Sequence, residues 1–340
     1  MTRELIVGVD IGGTKTAMLV TDPDGSVRVR SLAPTAVGSP DRAADAIASL
    51  VQAALDQAAA DPDDVAALGV GVPGRVDRET GLVTHAVNLD WHDLPLGPRL
   101  EARLGIPTVV ENDVRAAALG LHRRRLFGSV ESLALLAIGT GISAGVVLDG
   151  RLHRGSLGLA GEIGHVVIDP NGPRCACGNT GCFEAIAAGP AIVARTRAGW
   201  AERRNGHAAG ADDPRRGLGG AEGVFAAAAA GDDVALAVLE TTGGAIAWGI
   251  HLLALAYDVE RIVLGGGVSH AGEPFIAPIR RGLDRYRAVS PLAAEVLRPD
   301  LVELLPPGAD AGAWGAVTIA RDALAHRAGV AGAEREVGHA

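Results

Sequence analysis

Aromatic residues, cysteines and long apolar runs are all scarce in this sequence of 340 residues. Phe, Trp and Tyr make up only 3% of it, whereas 48% of the residues are hydrophobic, so aliphatic side chains must fill the core. The apolar runs are broken by Gly or by charge, and none approaches the roughly 20 residues that span a bilayer. Because the amino terminus also has no signal-peptide pattern, we expect a cytoplasmic protein with no membrane partner.

The charge balance is acidic, with a formal net charge of −9 at pH 7. General nucleic-acid binders are basic, so this balance argues against that class. The chain is long for one hydrophobic core, which predicts two domains.

Its three cysteines all fall between residues 175 and 182. An odd number of cysteines in one short segment favours a metal site over a framework of disulfides.

Two strand–turn–strand patterns with glycine-rich turns indicate an internal duplication, although two unrelated hairpins remain the alternative. Residues 5–9 and 17–20 flank Asp10-Ile-Gly-Gly-Thr-Lys15, and residues 132–138 and 143–148 flank Gly139-Thr-Gly141. The stretch 203–220 is polar and glycine-rich, and we expect it to be a flexible excursion. Further strands are predicted at 27–32, 65–72, 108–111 and 261–264, and helices at 41–60, 113–121, 190–203, 232–257 and 311–325.

The glycine-rich turns are candidate phosphate sites, because glycines allow the backbone N–H groups to approach phosphate oxygens. The first turn lacks the spacing of a Walker A loop, and a strand follows it rather than the helix of a dinucleotide fingerprint. Asp10 offers a carboxylate that could hold Mg²⁺ through water. Each turn alone is more simply a hairpin turn. The candidate nucleotide contacts are Asp10, Gly12, Gly13, Thr14, Lys15, Thr140, Gly141, Gly265, Gly266 and Gly267.

His165, Cys175, Cys177 and Cys182 form a metal-binding pattern in a loop-rich segment. Three thiolates and one imidazole suit tetrahedral Zn²⁺, and four protein ligands leave no open position for a reactive water. The predicted zinc site is therefore structural. The alternative is three free cysteines beside an unrelated histidine.

Asp113 is predicted at the point where a strand meets the amino terminus of a helix. A carboxylate there could accept the proton of a sugar hydroxyl during phosphoryl transfer. The alternative is that Asp113 only caps the helix. Glu162 and Glu184 flank or belong to the zinc segment, and with Asn112 they supply the convergent acceptors that sugar hydroxyls need. Ordinary surface carboxylates are the alternative for these two residues.

Taken together, these motifs resemble the ROK family (repressor, open reading frame, kinase) of the actin-like ATPase superfamily. The resemblance covers about residues 5–325. It implies an α/β protein of the actin-like ATPase fold, in which two ribonuclease H-like α/β domains flank an ATP and sugar cleft. The domains are expected at 1–115, completed by the helix 311–325, and at 116–310, with a frayed tail at 326–340. The motifs are Asp10-Ile-Gly-Gly-Thr-Lys15, Gly71-Val-Pro-Gly74, Glu111-Asn-Asp113, Gly139-Thr-Gly141, Gly161-Glu-Ile-Gly-His165, Cys175-Ala-Cys-Gly-Asn-Thr-Gly-Cys-Phe-Glu184 and Leu264-Gly-Gly-Gly267.

The resemblance implies an ATP-dependent hexose kinase, with glucose phosphorylated at the 6-hydroxyl and Asp113 as the general base. Mg²⁺ is expected near Asp10, and zinc on one ring nitrogen of His165 while the other contacts the sugar. A homodimer or a higher homo-oligomer is also implied. Sugar discrimination is expected in the loop at 71–75, at Asn88 and in the 150s. The expected sugar contacts are Gly74, Asn88, Asn112, Asp113, Glu162, His165 and Glu184.

Several alternatives stay open at this point. N-acetylmannosamine, N-acetylglucosamine or fructose could be the acceptor, and polyphosphate the donor. A sugar-sensing ROK repressor needs a helix-turn-helix module, and the nine residues before Asp10 are too few for one. A sugar-binding protein without catalysis is disfavoured by the intact Asp113. One departure from many family glucokinases is Ile142-Ser-Ala144 after the second turn, in place of further glycines.

Overall fold

The computed structural model of the chain describes residues 4–35, 40–86, 89–203 and 219–337, with side chains except at 40, 41 and 328–337. The strands are β1 (Leu5–Ile11), β2 (Lys15–Thr21), β3 (Val27–Pro34), β4 (Val65–Val72), β5 (Arg75–Asp77), β6 (Leu82–Ala86), β7 (Trp91–Leu94), β8 (Thr108–Asn112), β9 (Leu133–Ile138), β10 (Ile142–Leu148), β11 (Arg151–His153), β12 (Arg261–Gly265) and β13 (Val302–Leu304). The helices are α1 (Pro40–Gln57), α2 (Leu96–Leu104), α3 (Asp113–Arg123), α4 (Phe183–Ala187), α5 (Gly189–Arg203), α6 (Ala221–Ala229), α7 (Asp233–Tyr257), α8 (Glu273–Val289), α9 (Pro291–Val296) and α10 (Ala311–Val337).

Two five-stranded sheets share one strand order, β3-β2-β1-β4-β8 in the first and β11-β10-β9-β12-β13 in the second. In the first sheet β1, β2 and β3 form an antiparallel meander, and β4 and β8 continue it in parallel to β1. In the second sheet β12 is parallel to both β9 and β13. The shared order agrees with the internal duplication that the two strand–turn–strand patterns indicate.

The chain divides into two compact units. The first contains Met1–Val130, Gly145–Ala160 and Asp310–Ala340, and the second contains Glu131–Ala144 and Gly161–Ala309. The division passes through β10, after Ala144. The first segment of the first unit ends at Val130, later than the predicted break at residue 115, so α3 lies in the first unit. That the two units are independent domains stays a prediction.

In the first unit, helices cover both faces of the parallel strands. Val9, Val70 and Val110 lie on one face, in a core that also includes residues of α1 and α2. Ile6 and Ala67 lie on the other face, against buried residues of α10. Because a parallel strand is buried on both faces, its sequence is a continuous apolar run, as in β4. That pattern allowed the bounds of β4 to be predicted correctly.

Helix α7 is long and apolar enough, by length and composition, to cross a membrane. Half of its most apolar stretch is nevertheless buried within the protein. It packs against α4, α5, α6, α8 and α9 of the same unit. The core helix of a globular unit has the same properties, so we interpret α7 as the central helix of the second unit.

Several features differ from the sequence-based expectations, in which β11, β13, α2, α4, α8 and α9 had no counterpart. The last helix continues to Val337 rather than ending at Ala325, and the expected fray from residue 326 stays a prediction. The absence of proline from residues 326–337 permits that continuation. The antiparallel sheet β5-β6-β7 was not predicted, because its strands are short and mostly polar on one side. Residues 204–218 of the expected excursion lie outside the described residues.

Candidate functional site

The turn between β1 and β2 is a tight hairpin turn, stabilised by a hydrogen bond from a side chain outside the hairpin. The Gly12 N–H donates to the Lys15 carbonyl oxygen over 2.9 Å. The Thr35 hydroxyl donates to the Gly12 carbonyl oxygen over 2.7 Å. Gly13, Thr14 and Lys15 are exposed. The predicted phosphate turn is therefore anchored by the residue that follows β3, and its outer residues are accessible to a ligand.

Asp10 lies at the end of β1 in an electrostatically unusual position. Loss of water around its carboxylate raises the pKa of Asp10 to about 7, and the charge of Asp113 contributes to the rise. Asp10 is paired in register with Gly71 of β4. A Cβ at position 71 would lie 3.5 Å from Asp10 Oδ1 and 3.4 Å from the Asp113 Cα. Glycine at 71 thus lets two carboxylate-bearing residues share one small region, and their hard oxygen donors suit a cation such as Mg²⁺.

Asn112, rather than Asp113, caps helix α3. Its Oδ1 accepts the Arg115 backbone N–H over 3.0 Å, and its Nδ2 donates to the Gly74 carbonyl oxygen over 3.1 Å. Asp113 is the first residue of the helix, partly exposed, with Oδ1 accepting the Val114 N–H over 2.9 Å. The alternative that Asp113 serves as the helix cap is therefore wrong. The structure brings Gly74, Asn112 and Asp113 together in the first unit.

Glu111 has two charged partners that sequence reasoning missed. The carboxylate is buried and forms ion pairs with Arg115 over 3.1 Å and with Arg154 over 2.7 Å. The spacing of Glu111 and Arg115, four residues apart at a strand–helix junction, is a signal that could have revealed the first pair. No local signal could reveal the second pair, because Arg154 lies 43 residues away in sequence.

The second glycine turn, between β9 and β10, is bonded to Glu184. Gly139 N–H donates to the Gly141 carbonyl oxygen over 2.9 Å. Glu184 Oε2 accepts the Ile142 N–H over 2.8 Å and lies where a side chain at Gly141 would stand. Thr140 is exposed at the tip. One oxygen of Glu184 is thus engaged by the turn itself, so the candidate sugar contact and the candidate phosphate turn are linked.

The third glycine turn lies beside the second in the same unit. Gly265 ends β12, and Gly266 follows with a positive φ of 85°. A Cβ at Gly266 would lie 2.6 Å from the carbonyl carbon of Ile138, at the end of β9. A side chain at this position would separate the two strand ends. The structure therefore brings the turns at 139–141 and 265–267 together.

Glu162 and His165 bracket a short 3₁₀ turn, Ile163–His165. The segment is bonded to β10, since Ala144 N–H donates to the Gly161 carbonyl oxygen over 2.8 Å and the Ser143 hydroxyl approaches the same oxygen at 3.4 Å. Ser143 is one of the residues that depart from the family pattern after the second turn. Its hydroxyl contacts the segment leading to Glu162.

The four predicted metal ligands converge, with all their donor atoms within 4.8 Å of one another. His165 Nδ1 lies 3.8 Å from Cys175 Sγ, and Cys177 Sγ lies 3.6 Å from Cys182 Sγ. Zn–S bonds of about 2.3 Å in a tetrahedron place sulfurs about 3.8 Å apart. A disulfide needs about 2.05 Å, and all three cysteines are free. The donor set and its spacing therefore fit Zn²⁺.

The thiols of this cluster differ in acidity. Burial raises the pKa of Cys182 to about 12, and its neighbouring thiols contribute. A backbone hydrogen bond at Asn179 lowers the pKa of Cys177. A thiol as buried as Cys182 is protonated at neutral pH unless a metal ion displaces the proton. The buried Cys182 thiol is chemically consistent with a zinc ligand and unsuited to a free nucleophile.

The predicted site residues are distributed over both units. The first unit contains Asp10, the turn 12–15, Gly74, Asn112 and Asp113, and the second contains the turns at 139–141 and 265–267, Glu162, Glu184 and the zinc cluster. Asn88 lies outside the described residues.

Two five-stranded sheets of one strand order, with helices around them, give the chain the actin-like ATPase fold. The chain belongs to the ROK family, whose sequence model matches residues 6–323. It is 35% identical over 291 residues to a glucokinase of Halalkalibacterium halodurans, covering 84% of this chain and 87% of that protein. It is 35% identical over 285 residues to a glucokinase of Streptomyces coelicolor, covering 83% and 88%. A crystal structure of a ROK family glucokinase from Streptomyces griseus, in complex with glucose and AMPPNP, is similar with a TM-score of 0.76 and 32% identity, over 94% of this chain and 99% of that one.

Proposed function

We propose that this chain is an ATP-dependent sugar kinase that phosphorylates glucose at its 6-hydroxyl. The observation that carries the proposal is the position of Asp113, beside Asp10 at the carboxyl ends of β1, β4 and β8. Ligands of open α/β sheets bind at the carboxyl ends of the strands. Similarity to a glucokinase that holds glucose and AMPPNP supports the choice of both substrates.

Asp113 acts as the general base in this proposal. Its carboxylate accepts the proton of the sugar 6-hydroxyl, whose oxygen forms a bond to the γ-phosphorus of ATP. The bond from that phosphorus to the β,γ-bridging oxygen breaks, and ADP leaves with the electron pair. The proton then passes from Asp113 to solvent. Mg²⁺ held near Asp10 supplies neutralising charge to the phosphate oxygens when it is bound.

The glycine turns contact the nucleotide in this proposal. The first turn provides exposed backbone and the ammonium group of Lys15, which suits a phosphate. The second and third turns lie beside each other, so one ligand can contact both. The assigned contacts are Asp10, Gly12, Gly13, Thr14, Lys15, Thr140, Gly141, Gly265, Gly266 and Gly267.

The sugar contacts are assigned to Gly74, Asn88, Asn112, Asp113, Glu162, His165 and Glu184. Asn112 keeps one amide hydrogen for a hydroxyl, because its other polar contacts are used by the cap and by Gly74. Glu184 keeps Oε1, because Oε2 accepts the Ile142 N–H. These remaining donors and acceptors would define how each hydroxyl is oriented.

Zinc has a structural role in this proposal. His165 faces Cys175 with Nδ1, which leaves Nε2 for the sugar. A metal on one imidazole nitrogen fixes the ring's tautomer and orientation. The metal would thus hold His165 and the start of α4, where Glu184 lies, in a fixed geometry. Free thiols of this kind also suit the cytoplasm, where we propose the enzyme acts, as a homodimer or higher homo-oligomer.

A coupled assay of ADP formation with ATP, Mg²⁺ and a panel of sugars tests the proposal. The panel contains glucose, mannose, fructose, glucosamine, N-acetylmannosamine and N-acetylglucosamine, and a parallel series replaces ATP with polyphosphate. We expect the largest kcat/KM with glucose and ATP. Preference for an N-acetylated sugar would refute the glucose assignment, and no turnover with any sugar would refute the kinase.

Replacing the proposed base tests its role within the same assay. Asp113→Asn keeps the shape of the side chain but cannot accept the proton. We expect kcat to fall by about 10²- to 10⁴-fold, the range for loss of a general base, with glucose binding largely retained. Wild-type turnover by Asp113→Asn would exclude Asp113 as the base.

A further inference from the structure

The carboxylate of Glu111 is the centre of a buried polar network at the end of β8. Glu111 is 1% exposed, and its Oε1 accepts the Asn112 backbone N–H over 3.0 Å. The same oxygen accepts Arg115 Nε–H over 3.1 Å, and Oε2 accepts Arg154 Nε–H over 2.7 Å. A buried carboxylate is tolerated only when it is paired and hydrogen-bonded in this way.

Arg115 connects three parts of the first unit. Its backbone N–H donates to Asn112 Oδ1, its Nε–H to Glu111, and its Nη1 to the Gly158 carbonyl oxygen. It is only 3% exposed, so these contacts take place away from water. A planar guanidinium can make such divergent bonds at once, whereas a lysine ammonium on its flexible stem cannot reproduce the fork.

The network includes residues on both sides of the proposed base in sequence. Asn112, immediately before Asp113, is held by Glu111 through its N–H and by Arg115 through its side chain. Arg115, two residues after Asp113, is held by Glu111 and by Gly158. Asp113 therefore stands between two anchored residues, although it is itself partly exposed.

The network also anchors the loop after β11. Arg154 begins this loop and Gly158, with a positive φ of 66°, lies in its middle. Leu157 and Leu159, on either side of Gly158, are 65% and 42% exposed. The loop buries neither leucine fully, so its polar ties to Arg115 and Glu111, with the Ala160 N–H bond to the Arg154 carbonyl oxygen, contribute to holding it.

We propose that Arg115 is a positioning residue, whose guanidinium acts through Glu111, the acceptor of the Asn112 N–H, to fix Asp113 and, through Gly158, the loop at 154–160. The buried Glu111 carboxylate is the counter-charge of Arg115, and Arg154 is the second, less buried cation on that carboxylate. The inference rests on the proposed function, because Asp113 is the group whose position matters. A displacement of about 1 Å at a reacting group can reduce turnover by about 10²-fold.

The test is steady-state kinetics of the zinc-loaded enzyme with the variant Arg115→Lys. It keeps the charge but loses the fork, so we expect kcat to fall by about 10²-fold, a larger loss than that in KM for the sugar or in its Kd by calorimetry. Arg285→Lys is the matched control, because Arg285 pairs with Glu240 on the surface of the other unit. The control should retain wild-type kcat.

A double variant separates positioning from general stability. If Arg115 acts through Asp113, then Arg115→Lys should change the residual kcat of Asp113→Asn by less than about twofold, since residues that act as one unit are non-additive. Equal kcat in Arg115→Lys and wild type would overturn the inference, and so would a full additional loss in the double variant. If Arg115→Lys does not unfold cooperatively, Arg115→Met decides by the same readouts, because it removes the guanidinium while Arg154 still pairs with the buried Glu111 carboxylate over 2.7 Å. A wild-type enzyme inactive with every sugar would instead refute the proposed function, and this inference with it.

Discussion

The carboxylate of Asp10 occupies the space that a side chain at position 312 would need. Gly312 lies in the first turn of α10, and a Cβ there would lie 2.7 Å from Asp10 Oδ1, with the other carboxylate atoms nearer still. The end of β1 and the start of α10 are far apart in sequence, so the tertiary fold alone creates this contact. Asp10 is consequently confined between Gly71 on its strand side and Gly312 on its helix side.

Gly312→Ala should therefore displace the Asp10 carboxylate. The obstructing atoms are the end of one side chain, so the fold can adapt, but Asp10 must leave its position. We expect a fall of at least about tenfold in kcat/KM for Mg·ATP, about 1.4 kcal/mol, with a small change in the unfolding midpoint. Gly219→Ala is the control, because a Cβ there meets nothing within 4 Å. Unchanged Mg·ATP kinetics in Gly312→Ala would show that the position of Asp10 is unimportant.

The raised pKa of Asp10 predicts how stability depends on pH in the absence of Mg²⁺. Asp10 has a folded-state pKa of about 7 and a usual value of 3.8, so the folded chain binds this proton more tightly than the unfolded chain. Its contribution is full below pH 3.8 and is lost as the pH rises toward and through about 7. The loss is at most about 4 kcal/mol, from 1.36 kcal/mol for each pH unit between the two values.

Denaturant titrations between pH 4 and pH 8 measure this effect. Asp10→Asn cannot ionise, so the free energy of unfolding of wild type minus that of Asp10→Asn should decrease across this range. Added Mg²⁺ should reduce the decrease, because a bound cation favours the ionised carboxylate. A difference that stays constant from pH 4 to pH 8 would contradict the prediction.

The zinc cluster predicts a defined metal content and a protected set of thiols. Purified enzyme should contain about one Zn²⁺ per chain, since four protein ligands complete a tetrahedral site. Thiol titration should detect few reactive cysteines before chelation and all three after it. Cys182→Ser should lose the metal and most of the activity, because His165 and α4 lose their anchor. Fully active metal-free enzyme would contradict the structural role.

Lys15 offers an unusually direct probe of the first glycine turn. It is the only lysine in the sequence, and it is exposed at the start of β2. Acetylation by an amine-specific reagent should therefore modify one side chain, and Mg·AMPPNP should protect it if the turn binds phosphate. Labelling of the chain in denaturant serves as the control, since nucleotide cannot protect Lys15 in the unfolded chain. Equal labelling of Lys15 with and without nucleotide, read by mass spectrometry, would remove Lys15 from the proposed contacts.

Local patterns in the sequence predicted the strands and turns well. The continuous apolar run of β4 and the glycine turn after β1 each carry their information in a few adjacent residues. The zinc ligands could be recognised from the sequence equally well, because three of them lie within eight residues. The fold was predicted from the family motifs, because local patterns do not reveal the order of the strands within the two sheets.

What the sequence could not supply are contacts between distant segments. Arg154 pairs with Glu111 across 43 residues, and no local sequence pattern near either residue predicts the pair. The choice between Asn112 and Asp113 as helix cap was also unresolved, because both residue types cap helices. Only the backbone geometry, with Asn112 extended and Asp113 helical, decides it.

The position of α10 in the first unit has a consequence for synthesis of the chain. The sheet face that includes Ile6, Leu19 and Ala67 is covered by buried residues of α10, beginning at Ala313. The ribosome makes α10 roughly 290 residues after β2, which takes about 15 to 60 s at about 5–20 residues per second. During that interval the nascent sheet has an uncovered apolar face. The emerging protein is therefore a candidate client for chaperones that bind apolar surface on the ribosome, until its last helix closes the first unit.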